Sequence, residues 1–112
     1  MSLAFWICAA VTAISAAVSL GYSVAGLTSS EAAERAPSMY ACARSLALAA
    51  VALAALFAGS TPFLVAVAVA MVTVQAVDAV IGGVIHDRFK TIGPAVTAAA
   101  NLAALVWLWM AA

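Results

Sequence analysis

Four uninterrupted apolar runs, each about 20 residues long, take up nearly all of this chain. A helix rising 1.5 Å per residue needs about that length to cross a hydrocarbon core roughly 30 Å thick. The runs lie at about 3–26, 38–58, 62–85 and 94–111, so the expected fold is all-α: an integral membrane four-helix bundle of antiparallel, up-down topology, in one domain covering 1–112. Strands of an outer-membrane barrel are excluded, because these runs are continuously apolar, rich in Ala and Leu, and about twice a barrel strand's length. No Lys or Arg precedes the first run, so it lacks the basic start of a secretory signal and is read as a retained span.

Composition agrees with that solvent. Of 112 residues, 69% are hydrophobic and 7% charged, whereas soluble proteins carry roughly a quarter charged residues. The mean hydropathy is +1.24. With four Lys and Arg and no net charge, the chain has no basic surface of the kind nucleic acid requires. The expected partners are membrane lipid, an amphipathic small molecule, and either a second copy or another membrane protein.

Loop charges orient the bundle. Arg35, Arg88 and Lys90 fall on one side and no Lys or Arg on the other, which predicts that the charged side is cytoplasmic and both termini external. The expected location is a bacterial inner membrane. Phe5, Trp6, Phe57, Phe63, Trp107 and Trp109 cluster toward the external side, and Tyr22, Tyr40 and Phe89 toward the cytoplasmic side, as two interfacial belts. In the first charged loop, Thr28 three residues before Glu31 suggests a capping box, with Pro37 as a stop before the second span.

Counting along each span gives depth. Arg44 is six residues into the second span from the charged side, and Asp78 seven residues from the same side in the third. Both therefore sit roughly 9 to 10 Å deep, opposite in sign and level. A lone intramembrane charge costs at least about 2.5 to 3.5 kcal/mol, so the two are expected to pair. Gln75 is one turn deeper than Asp78 in a stripe that runs Met71, Gln75, Asp78, Gly82, His86. Asn101 and Thr97 reach the layer from the fourth span. The first span supplies a ridge of Cys8, Thr12, Ser15, Ser19 and Ser23, with Ser19 and Tyr22 level with Arg44.

The expected ligand-binding set is thus Arg44, Gln75, Asp78, Asn101, Ser19 and Tyr22, with Tyr40 at the same interface. Two readings of this layer stand side by side: an interhelical hydrogen-bond network that fixes register, and a cavity where the same groups meet a ligand's polar end or a proton. They correspond to a protein that binds an amphipathic lipid, isoprenoid or quinone-like molecule, and to a structural or accessory subunit. A proton-coupled transporter is a third reading. Enzymatic activity stays open, with no catalytic residue assigned, since no second positioned acid or nucleophile appears.

Weaker signals are read as structural. Cys8 and Cys42 lie toward opposite sides, too far apart for a disulfide, which needs Cα atoms within about 7 Å. His86 beside Asp87 is expected as a helix-end or headgroup contact, because zinc needs three or four ligands. No metal or cofactor is expected.

The segments 40–48, 74–82 and 86–94, which read YACARSLAL, VQAVDAVIG and HDRFKTIGP, resemble those of small bacterial four-helix membrane proteins and are loosely similar to DoxX-like proteins. The resemblance covers roughly the second to fourth spans and implies the fold and the membrane location. More distantly, intramembrane acidic residues near one face of four helices are similar to the sterol isomerase and sigma-2 receptor superfamily, a likeness that makes Asp78 the candidate acid. Small multidrug resistance transporters share the length and helix number, but their essential carboxylate is in the first helix, and this first helix has none.

Overall fold

A computed structural model describes residues 2–111. Four helices, α1 (Leu3–Thr28), α2 (Arg35–Ala58), α3 (Thr61–Val84) and α4 (Arg88–Ala111), form the fold, with no strand among the described residues. Each is long and apolar enough to cross a membrane.

The helix ends follow from local chemistry. Ser2 caps α1 by accepting the Phe5 N–H at 3.2 Å, and Ser60 caps α3 by accepting that of Phe63 at 3.3 Å. Between α2 and α3 the chain reverses through Gly59, whose φ of 64° is the left-handed conformation that glycine adopts without steric cost. The expected capping box does not form: Thr28 ends α1 and turns its hydroxyl back to the Ala25 carbonyl at 3.0 Å. Glu31 instead precedes a single 3-10 turn, Ala32–Glu34, with no side-chain cap. Pro37 is not a stop but the third residue of α2, in the first turn, where its missing N–H has no helical partner to lose.

The largest difference from expectation is at the start of α4. The segment 86–93, read as a loop from its charges, is mostly helix. His86 takes a left-handed φ of 56° and turns the chain. Asp87 then accepts the Lys90 N–H on its carboxylate at 3.1 Å and so opens α4, six residues before the expected start at Pro94. Pro94 consequently lies inside the helix and has no N–H for the Lys90 carbonyl four residues back. That carbonyl packs instead on Gly82 of α3, so closely that a Cβ at position 82 would sit 2.6 Å from it.

Packing places α1 at the centre. Both α1 and α3 contact all three other helices, while α2 and α4 do not touch, and α1 is the more buried. Buried residues make up 44% of its apolar stretch against 17% for α2, which leaves α2 the most outward helix. One end of the bundle is filled by an apolar core in which Phe5, Leu64, Met71 and Leu108 interlock among Ala4, Ala9, Ala52, Ala55 and Ala68. The alanines let helices approach closely, as membrane helix contacts favour. Phe5, expected in the aromatic belt, belongs to this core and is 1% exposed, whereas Trp6, Phe57, Phe63, Trp107 and Trp109 do face outward.

Candidate functional site

The opposite end of the bundle is not filled. A cleft of about 210 Å³ lies there, walled by residues of all four helices. The inward faces of α1 and α3 run from the core up to it, and Ser19, Gln75, Asp78 and Gly82 of those faces line it. On α1, Cys8, Thr12, Ser15 and Ser19 all point inward and are buried. On α3, Met71, Gln75 and Gly82 are buried and Asp78 is half-buried, but the stripe stops there, since the helix ends at Val84 and His86 is exposed.

Arg44 and Asp78 meet in the cleft. The Arg44 Nη2 lies 3.4 Å from both Asp78 carboxylate oxygens, with side chains 48% and 23% exposed. A tight charged hydrogen bond spans about 2.7 to 2.9 Å. The pair is therefore loose, and among the described residues Arg44 makes no other hydrogen bond. The guanidinium has five N–H donors, and most remain directed to the cleft and its surroundings.

Below this pair the polar groups satisfy one another. Gln75 donates its Nε2 to the Ser15 carbonyl at 2.9 Å, tying α3 to α1. Ser19, Ser23 and Ser45 form a chain whose direction is fixed by counting hydrogens. Ser23 gives its single hydroxyl hydrogen to the Ser19 carbonyl (3.0 Å), so Ser45 must donate to Ser23 (2.7 Å) and Ser19 to Ser45 (3.2 Å). Cys42 adds a thiol bond to the Ser23 carbonyl at 3.1 Å. Both cysteines are free thiols.

Of the seven expected ligand residues, five line the cleft: Ser19, Tyr22, Arg44, Gln75 and Asp78. Asn101 and Tyr40 do not. Asn101 is fully buried and donates its Nδ2 to the Thr12 hydroxyl at 3.0 Å, while its Oδ1 has no partner among the described residues. Tyr40 is 77% exposed on the outer face. Residue counting missed Ser38, Ser45 and Lys90. Ser38 and Lys90 line the cleft, and Ser45 holds the hydroxyl chain together. The spacing Ser38, Cys42, Ser45 would have marked one polar face of α2.

The rim on α4 is held from three directions. Tyr22 donates its hydroxyl to the Phe89 carbonyl at 3.1 Å, its ring packed on Phe89 at 4.9 Å and over the bare face of Gly93. Asp87 holds the Lys90 N–H, and Gly82 receives the Lys90 carbonyl. No group of three or more His, Cys, Asp or Glu side chains comes together among the described residues. No protein-family model, curated protein or solved structure matches the chain.

Proposed function

We propose that this chain is a multi-pass protein of a bacterial inner membrane, an up-down antiparallel bundle of the DoxX-like kind, whose cleft receives the polar end of an amphipathic molecule such as a lipid, isoprenoid or quinone. The observation that carries this reading is the cleft itself: an open, amphipathic recess whose mostly apolar wall carries a loosely paired Arg and Asp, at one end of a bundle whose other end is filled. Sites that enclose a drug-sized molecule measure about 300 to 1,000 Å³. At about 210 Å³ the cleft suits a headgroup, with the apolar remainder lying along the outer helix faces. Those faces are apolar, with Leu46, Val80, Ile81 and Val84 exposed. Arg35, Arg88 and Lys90 all stand at the cleft end, which the positive-inside rule puts on the cytoplasmic leaflet.

Filling the cleft tests this. Ala41 lines it, and Ala43, two residues on, is exposed outside it. Native mass spectrometry and lipid extraction of purified protein should find a defined amphiphile on the wild type and on Ala43→Trp, and none on Ala41→Trp. Equal retention by Ala41→Trp would remove the cleft as the site.

The reading as a structural or accessory subunit draws on α2, whose outward face is the largest unpartnered one. It expects a membrane protein, rather than an amphiphile, to remain bound through mild extraction, and to be lost in Ala43→Trp but kept in Ala41→Trp.

A further inference from the structure

The cleft carries an excess of positive charge. Arg44 and Lys90 border it with Asp78 as the one carboxylate, so two positive charges against one negative leave +1. Nearby in sequence, His86, Asp87 and Arg88 line a separate open recess. Neither cation is fully used: Arg44 holds Asp78 only loosely, and the Lys90 ammonium makes no ion pair among the described residues.

The placement of Lys90 is also specific. Its backbone N–H is held by Asp87, its carbonyl lies on Gly82, and the preceding carbonyl is held by Tyr22. The stem of this lysine therefore starts from a fixed point on the cleft rim, while Arg88, two residues earlier, borders the other surface. Beside the two cations Ser38 offers a hydroxyl that makes no hydrogen bond among the described residues, while Tyr22 and Ser23 line the cleft with their hydrogens already given to the Phe89 and Ser19 carbonyls. A forked guanidinium, an ammonium and a hydroxyl are the donor set that recognises tetrahedral oxyanions.

From this excess charge, resting on the reading of the cleft as an amphiphile site, we infer that the polar end it takes is a phosphate carrying one negative charge, as in a phosphodiester headgroup. One such group neutralises the +1. A zwitterionic headgroup brings a cation into a recess that already has two, and a neutral quinone or alcohol leaves the excess unmet. The same chemistry could come from free phosphate, which lacks the apolar part that the outer faces would cover.

The test uses the full-length protein in a neutral detergent and four probes: dioctanoyl phosphatidylglycerol, the matched phosphatidylcholine, the matched diacylglycerol, and inorganic phosphate. Binding is read by native mass spectrometry across a concentration series. We expect saturable binding of phosphatidylglycerol, at least about tenfold tighter than of phosphatidylcholine or diacylglycerol, the ratio that corresponds to about 1.4 kcal/mol. Lys90→Gln, on an exposed residue outside the core, should weaken it at least about threefold, the effect expected of losing one charged contact of roughly 0.7 kcal/mol. Arg88→Gln removes the same charge outside the cleft and should leave binding unchanged.

Arg44→Lys, which keeps the charge and loses the fork, should also weaken phosphatidylglycerol binding at least about threefold. Equal binding of the three lipids, or equal loss in Lys90→Gln and Arg88→Gln, would overturn the phosphate inference and leave the amphiphile site standing. Absence of saturable binding by any of the lipids would overturn both. Inorganic phosphate binding as tightly as the lipid would support the anion chemistry and transfer it to a soluble source.

Discussion

At the scale of single residues, the structure separates polar groups that are finished from those that are not. Gln75 and Ser45 are within 1% of full burial and hydrogen-bond to α1; Arg44 and Asp78 share a long contact at an open recess. Two substitutions distinguish these conditions. Neutralising Arg44 or Asp78 alone leaves its partner unpaired near the apolar phase, so Arg44→Gln and Asp78→Asn should each destabilise the protein more than the pair of changes together. We expect a coupling of about 1 kcal/mol, discounted because Arg44 is half open to its surroundings. Unfolding in mixed detergent micelles measures it, and strictly additive losses would mean that the pair does not interact.

Asn101 should behave otherwise. Its Oδ1 is buried without a partner, a condition that costs about 1 to 3 kcal/mol, and its one bond goes to a hydroxyl that α1 can satisfy on its own. Asn101→Leu should therefore change stability by less than about 1 kcal/mol in either direction and leave retention of the amphiphile untouched. A loss of the ligand in Asn101→Leu would place the site deeper than the cleft. The residue level also shows what counting along a sequence can resolve. Depth follows from a fixed rise per residue, so Arg44 and Asp78 were legible as a level pair. Azimuth in the fourth span was not, because Thr97 and Asn101 share one face of the helix but do not show which neighbour that face meets.

At the scale of elements, the meeting of α3 and α4 is set by a glycine and a proline acting from opposite sides. Pro94 leaves the Lys90 carbonyl without its helical donor, and Gly82 leaves room for that carbonyl to approach α3. A Cβ at position 82 would meet backbone atoms, which cannot swing aside as a side chain would. Gly82→Ala should therefore destabilise by about 1 to 3 kcal/mol, the range for forcing a group into a packed interface. Its neighbour is the control: a Cβ at Gly83 meets nothing within 4 Å, so Gly83→Ala should be neutral or stabilising by up to about 1 kcal/mol through helix propensity. Equal effects at both positions would mean that the close approach is not a constraint. The same junction explains the main misreading of element boundaries. Charged residues and a proline in 86–94 look like a loop followed by a helix start, because proline is favoured in a first turn. The capping carboxylate of Asp87 makes the helix begin earlier, and the proline by itself does not distinguish the opening of a helix from a second turn that a glycine on the preceding helix accommodates.

At the scale of the whole molecule, the apolar core and the cleft lie at opposite ends, and the charges at the helix ends gather at the cleft end. This asymmetry ties orientation to function: if the cleft takes a headgroup, the leaflet it faces decides which pool of amphiphiles it samples. The four runs made the helix number legible, since each is one continuous apolar stretch of helix length, but which end is hollow was not legible, because that depends on Phe5, Leu64 and Leu108 converging from three helices. Orientation can be measured directly. In a background carrying Cys8→Ala and Cys42→Ala, which removes both native thiols, single cysteines at Ser60 in the α2–α3 turn and at Ser30 beyond α1 report on opposite ends. A membrane-impermeant maleimide added to intact spheroplasts should label Ser60→Cys, and should label Ser30→Cys only after the membrane is permeabilised. The reverse pattern would turn the cleft to the external leaflet, and labelling of both before permeabilisation would mean either mixed orientation or helices that do not span. Because three cations in the first turns of α2 and α4 set the expected orientation, moving them should move the protein: replacing Arg35, Arg88 and Lys90 by Gln while adding Lys beside Gly59 should exchange the two labelling patterns.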